Sequence, residues 1–402
     1  MSNSPKVINN ALLADGRIVQ IRIEEGRYTS INLMSDVASH DPSTDESLDL
    51  RGNLMMPALV DGHLHLDKTL MGLPWLPHDA APDRESRMEN DRRILPLLPL
   101  SVGQRASNLI NKCVTYGTGH MRSHVDVNTD RQLDSLHQLL AVRESHKELV
   151  DIELVAFPGT GVARNPGTLD LLDQAIQDGA DLIGGMDPCV VDRDPAYQLN
   201  GIFALAEKHG VGLDIHLHEL GELGIFSLEE ICKRTQTLGL QGKVTISHGF
   251  CLGTVNESTM RGAVSLMAKS GVGLATHGAA KWPLPPIALL RSQGVLVIAG
   301  NDDIRDTWSP YGTGDVLARA ALIGWRADYR KDEDVLNALD LVTFSGAKAL
   351  SIKNYGISEG NPADFFTVDA ENAQEALACH PVRKLVVKGG TVIAREGARV
   401  FS

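Results

Sequence analysis

The chain reads as a (β/α)8 TIM barrel carrying a small β-sandwich built from its two ends. Three observations predict this. Short apolar runs recur eight times between residues 58 and 303, each followed by a loop and a stretch of helical spacing. Both ends of the chain carry short alternating strands separated by Gly and Asp turns. The residues able to do chemistry fall at the C-terminal ends of the apolar runs, where a barrel of this kind places its site.

Taken in order, the first 55 or so residues give strand-like segments in VINNALLADGR, IVQIRIEEGRYTSI and SLDLRGNLMMP. The eight barrel runs follow: ALVDGHLHLD (58–67), GHMRSHVDV (119–127), DIELVAFPG (151–159), LIGGMDP (182–188), VGLDIHLHE (211–219), KVTISHG (243–249), GVGLATHG (271–278) and GVLVIAGNDD (294–303). Between them, TLDLLDQAIQDGA, IFALAEKHG and SLEEICKRTQTLG show helical spacing with Gly after the last turn. Strands alternating with helices imply parallel pairing, and eight of them close into a barrel. A doubly wound open sheet is the alternative, but no GxGxxG follows the first run. The C-terminus returns to strands in ADFFTVDA and KLVVKGGTVIAREGARVFS, with a Gly-Gly hairpin turn in VVKGGTVIA. The expected division is residues 1–56 with 357–402 for the sandwich and 57–356 for the barrel.

The formal charge of -13 excludes the clustered basic face that duplex nucleic acid needs, while leaving a small substrate open. Five scattered cysteines without a CxxC pair fit a reducing compartment and give no zinc knuckle. The N-terminal segment has no apolar signal-like core, and no run of 18 apolar residues occurs. A cytoplasmic protein without membrane partners is expected.

His63 and His65 stand two apart on an apolar strand, so both imidazoles point to one side, about 7 Å apart at Cα. His216 ends the fifth run, and Asp302 follows the eighth. A carboxylate directly after a buried strand is costly unless paired or metal-bound. Three nitrogens and one carboxylate suit a catalytic divalent cation with room for water. His248, closing KVTISH, is then expected beside the ion as a neutral imidazole. Glu219, three residues past His216, is placed to shuttle protons to a leaving nitrogen, and Asp302 to take a proton from the activated water. Lys68, His218, Asp303 and Arg305 are candidate substrate contacts. His124 and Asp126 are candidates to orient a ligand or to form a polar pair in the barrel mouth. His277 has a core or loop reading and a substrate-facing one. Trp282 and Trp308 sit on loops where they pack or stack on a flat ring. His120 is expected just before its strand, outside the site.

Taken together, VDGHLHLDK, RSHVDV, VAFPG, DIHLHE, SHG and GNDDIRDTWSPYGTGD resemble the amidohydrolase superfamily, in the branch of cytosine deaminase and N-isopropylammelide isopropylamidohydrolase. The resemblance covers most of the chain. It implies metal ligation by His63, His65, His216 and Asp302, a catalytic His248, a substrate role for Asp303, zinc or iron as the metal, and a homo-oligomer. Members with two metals carry a carboxylated Lys on the fourth strand; LIGGMDP has none, so one metal is implied. Two departures bear on substrate. Gly159 stands where cytosine deaminase has a Gln that reads the pyrimidine edge. Lys68 and His218 match the isopropylammelide pattern, whereas Glu219 matches the deaminase one.

The leading expectation is hydrolysis of an exocyclic C–N bond on an oxo-substituted nitrogen heterocycle, an aminopyrimidine or amino-triazine, releasing ammonia or an alkylamine. The alternatives are ring-opening cyclic amide hydrolysis and an inactive barrel serving as a binding scaffold.

Overall fold

A computed structural model describes residues 4–37, 46–79, 81 and 83–400. Eight parallel strands run in sequential order around one sheet: Leu59–Leu64, Thr118–Asp126, Asp151–Phe157, Leu182–Met186, Gly212–Leu217, Val244–His248, Val272–Thr276 and Val297–Ala299. Each falls within one of the eight apolar runs, save that the second begins one residue early, at Thr118. The helices Thr168–Asp178, Pro195–His209 and Gly221–Thr237 lie where helical spacing places them. Gly179, Gly210 and Gly239 follow their last turns with φ of 118°, 70° and 66°, the left-handed geometry that frees the final carbonyls to be capped.

Closure depends on how the short eighth strand meets the first. The Asp302 N–H donates to the His63 carbonyl at 2.8 Å, and Leu64 and Asp302 form a parallel bridge. Asp61, fully buried in the first strand, reinforces the seam by accepting from the backbone N–H of Asn301 at 3.0 Å and its side-chain amide at 2.6 Å. Gly300 is the point of closest approach. A Cβ there would stand 2.3 Å from the His63 nitrogen and 2.4 Å from its oxygen, both backbone atoms that cannot yield.

The terminal strands form a second, mixed sheet that makes the small β-sandwich. Its backbone is the antiparallel pairing of Leu54–Pro57 with Phe365–Val368, which joins the two ends of the chain. The hairpin Leu385–Lys388 to Thr391–Arg395 turns through Gly389 and Gly390, both at positive φ as a two-residue primed turn requires. Ile8, Val19, Ile21, Tyr28, Met55, Phe365 and Val392 give this sheet a core separate from the barrel's. The hairpin also clamps the barrel floor. Lys388 Nζ lies 2.7 Å from both Asp151, at the start of the third barrel strand, and Asp364. His120 lies inside the second strand rather than before it, 3.0 Å from Asp151 at this floor and far from the mouth.

All five cysteines are free, and among the described residues no helix is long and apolar enough to cross a membrane.

Two outcomes follow from these contacts. Gly300→Ala forces the first and eighth strands apart and is expected to cost at least about 3 kcal/mol, read as lost soluble yield or a large drop in melting temperature. Lys388→Met leaves the part-buried Asp364 carboxylate without its cation and is expected to destabilise by about 2–3 kcal/mol in urea unfolding. Partial burial would raise the Asp151 carboxyl, but His120 and Lys388 hold it well below the usual range. A depressed folded value contributes stability above the unfolded value of about 4 and loses it as pH falls below that. The wild-type advantage over Lys388→Met therefore shrinks in acid; an advantage unchanged from pH 7 to pH 3 would contradict the clamp.

Candidate active site

The strand ends supply the site. His63 lies within the first strand and His65 just past it, His216 within the fifth, His248 at the end of the sixth, and Asp302 after the eighth. His248 (φ 77°) and Asp302 (φ 61°) adopt left-handed backbone, each costing on the order of 1 kcal/mol or more, which turns the chain sharply out of its strand.

Their side-chain atoms converge. His63 Nε2 stands 3.4 Å and His65 Nε2 3.5 Å from Asp302 Oδ1, and the Nε2 atoms of His65 and His216 are 3.4 Å apart. These separations are long for hydrogen bonds. Each of these three is close to the separation of two ligands that lie about 2.0–2.1 Å from one tetrahedral ion, which is about 3.4 Å. His63 Nε2 is buried without a hydrogen-bond partner among the described residues. Ligand atoms of His63, His65, His124 and His216 lie within 4.8 Å of one another, as do those of His63, His248 and Asp302, so the buried nitrogens and carboxylate that a divalent cation such as zinc or iron takes are gathered here.

The electrostatics agree. Burial pushes His65 down to about 3 and His124 down to about 4, and drives His216 and His248 well below the ordinary imidazole value. A neutral imidazole keeps the lone pair that ligation uses. His63 is the exception: burial acts to lower it, but the Asp302, Asp214 and Asp61 carboxylates outweigh that effect and raise it. Burial alone would raise Asp302, yet His277 and the other surrounding imidazoles hold it well below the usual carboxylate range.

A cavity of about 290 Å³ opens above this cluster. Its lining includes His65, His216, His248 and Asp302 from the convergent set, together with Lys68, His218 and Asp303, three of the four expected substrate contacts. The remaining one, Arg305, is directed elsewhere. Its guanidinium donates to the Leu73 carbonyl at 3.0 Å, pinning the long loop after the first strand. Glu219 is also turned away from the shuttle position that its spacing suggested. One carboxylate oxygen accepts from the N–H groups of Cys189 (2.7 Å) and Val190 (2.8 Å), the other from the Ser227 hydroxyl. It braces the loop after the fourth strand and is not among the residues lining the cavity.

Several residues of the site carried weak or no signal in the sequence. Asp187 is fully buried and accepts from the His218 N–H at 2.6 Å while its other oxygen meets His218 Nδ1 at 2.8 Å, orienting that ring. His218 in turn stacks on His248, with centroids 4.3 Å apart. His277, left between two readings, packs its Nδ1 3.0 Å from Asp302 and 3.1 Å from His248. Asp126 and Trp308 line the cavity, whereas Trp282 packs near Phe250. Asp91, from the helix Arg84–Ile94 that covers the mouth, accepts from Trp308 Nε1 at 2.7 Å and lies 3.8 Å from Lys68. A DP dipeptide or an HxH motif does not announce such partners, because their role exists only across elements.

Comparison with known proteins places this geometry. The model of the amidohydrolase family matches residues 108–394. The N-isopropylammelide isopropyl amidohydrolase of Pseudomonas sp. (strain ADP) is 28% identical over 399 residues, covering 97% of each chain. The crystal structure of N-isopropylammelide isopropylaminohydrolase from Burkholderia multivorans ATCC 17616 is 41% identical with a TM-score of 0.92, covering 98% of this chain and 99% of that one. The 5-methylcytosine deaminase of Klebsiella pneumoniae, liganded with 5-fluorocytosine, is 27% identical with a TM-score of 0.85 over 97% of both chains. With its barrel, its terminal sandwich and its cluster of strand-end histidines, this chain belongs to the amidohydrolase family of hydrolases acting on carbon–nitrogen bonds.

Proposed function

We propose that this protein is a metal-dependent aminohydrolase that cleaves an exocyclic C–N bond on an oxo-substituted nitrogen heterocycle of the amino-triazine or aminopyrimidine type. The observation that carries this reading is the gathering of His63, His65, His216 and Asp302, with His63–Asp302, His65–Asp302 and His65–His216 each 3.4–3.5 Å apart, beneath a cavity sized for one small ring. These four would hold one divalent cation, zinc or iron. The fourth strand, with Gly184, Gly185 and Met186, offers no Lys to bridge a second ion. A bound cation supplies Lewis acidity and makes water nucleophilic near neutral pH.

The chain's own groups do the rest. Phe157 and Trp308 line the cavity as flat apolar walls suited to a planar ring. Lys68 Nζ stands 3.3 Å from Asp126 Oδ1, so a cationic donor and a carboxylate acceptor face the cavity side by side. That pair complements a lactam edge, the ammonium taking the ring oxygen and the carboxylate the neighbouring ring N–H. Gly159 fits this arrangement, since a Cβ there would stand 2.7 Å from Asp126 Oδ1 and crowd the acceptor. Met88, Leu95 and Pro96 form an apolar flank that suits an alkyl substituent on the departing nitrogen. The isopropylammelide enzymes among its relatives support this choice over an unsubstituted amine.

His248, kept neutral by burial, and His218, oriented by Asp187, are the imidazoles in place to hold and move protons at the ring and leaving nitrogens. Glu219 serves them indirectly, by ordering the loop that carries Asp187.

Incubating the metal-loaded protein with a panel of N-alkylamino and amino-oxo-triazines and aminopyrimidines, and scoring ammonia and amine separately, tests the reading. Release of an alkylamine with the ring intact is expected; a ring-opened product, or bound metal without turnover on any member, would remove it. On the best substrate, Lys68→Met is expected to lower kcat/KM by about 10- to 100-fold, the loss of one charge-assisted contact. Glu219→Gln is expected to lower the melting temperature and to cost less than about tenfold in kcat. A hundredfold fall in kcat at unchanged stability would return Glu219 to the proton-shuttling role.

A further inference from the structure

Below the proposed ligand cluster, the barrel interior is polar where apolar packing is the rule for such folds. Arg122, His124, Asp214 and Ser247 are all buried, the last three with no exposure at all. They project inward from the second, fifth and sixth strands. Burying an arginine–carboxylate pair is costly unless every donor and acceptor is used. Here most of them are. Arg122 donates to Glu153 at 2.5 Å, to Asp214 Oδ2 at 3.1 Å and to the Ala349 carbonyl at 3.1 Å. Asp214 Oδ1 faces Ser247 Oγ at 2.5 Å, and the same Oγ lies 2.9 Å from His63 Nδ1.

The direction of these hydrogen bonds is forced. A carboxylate only accepts, so the single Ser247 proton goes to Asp214. Ser247 Oγ then has only lone pairs to offer His63, and His63 Nδ1 must carry the ring proton. In the neutral ring that leaves a lone pair on Nε2, the atom 3.4 Å from Asp302 at the proposed metal position. By contrast, the Nδ1 atoms of His65 and His216 are buried without hydrogen-bond partners among the described residues. We propose that Arg122, Asp214 and Ser247 form a relay that locks His63 in its ligating tautomer and makes it the preorganised anchor of the metal site. Ser247 is thus a positioning residue, acting on the ion through His63. The inference rests on the metal reading above and adds which ligand is preset, and by what.

Chelator competition measures the zinc affinity of the wild type and its variants. Ser247→Ala frees the His63 tautomer and is expected to weaken zinc binding by about 10- to 100-fold, the usual cost of losing a ligand's supporting hydrogen bond. Asp214→Asn inverts the relay. Arg122 keeps the amide oxygen on its own side, so the amide N–H faces Ser247 and drives the hydroxyl proton onto His63 Nδ1. It is expected to weaken binding at least as much as Ser247→Ala, yet to cost under about twofold more when added to Ser247→Ala. A merely structural role would make the two losses multiply, and that result, or Ser247→Ala within twofold of wild type, overturns the relay. Nitrogen NMR of the metal-free wild type reads the tautomer even if the variants fail to fold: the His63 ring, assigned by its loss in His63→Gln, is expected protonated on Nδ1. A ring protonated on Nε2 alone, with Nδ1 bare, overturns the relay. A folded wild type that takes up no zinc would instead sink the metal reading, and the NMR result would still decide the relay.

Discussion

The site depends on the seam between the first and eighth barrel strands. Three ligand candidates come from strands one and five, and the carboxylate that completes them arrives only because the chain closes on itself there. The Asp302 N–H on the His63 carbonyl, the Asp61 carboxylate on Asn301 and the missing side chain at Gly300 set the distance between these strands. With the backbones in register, Asp302 Oδ1 stands 3.4–3.5 Å from two imidazoles that precede it by more than 230 residues. A parallel barrel is suited to this, because its closure brings the ends of a long chain to one rim with little freedom left.

Below the rim the fold sustains a second constraint, a layer of buried charge and imidazole. Such a layer is expensive in isolation and survives because its members satisfy one another. Burial there keeps most of the histidines neutral, while His124, Arg122 and His63 hold Asp214 ionised. That division is the one a cation site needs, with lone pairs free on nitrogen and negative charge on oxygen. Above the rim the polarity is organised differently. Lys68 is raised above its ordinary value despite a burial that acts to lower it, because the Asp126, Asp91 and Asp67 carboxylates surround it. The cavity therefore offers a donor and an acceptor side by side rather than one net charge.

The sandwich formed by the chain ends serves the barrel from the opposite side. Its hairpin lysine ties Asp364 to the start of the third strand, so the floor is held by the same terminal segments that pair with each other. The mouth stays free for the loops and the covering helix that shape the cavity.

By itself, the sequence determined the period and number of the strands, because apolar runs separated by helical spacing leave few other packings. It also determined the candidate ligands, because His and Asp at the ends of apolar runs are chemically conspicuous wherever the chain goes. Only the tertiary structure decided which neighbours those groups acquire. Asp187, Asp214 and Ser247 are ordinary residues along the chain and become specific partners only where separate strands lie side by side. The same holds for Glu219 and Arg305, whose spacing pointed into the site but whose side chains found donors and acceptors on adjoining loops. Periodicity is a local property of a chain and survives in its letters. The direction of a hydrogen bond is settled by the atoms on both sides, and one of those sides arrives only with folding.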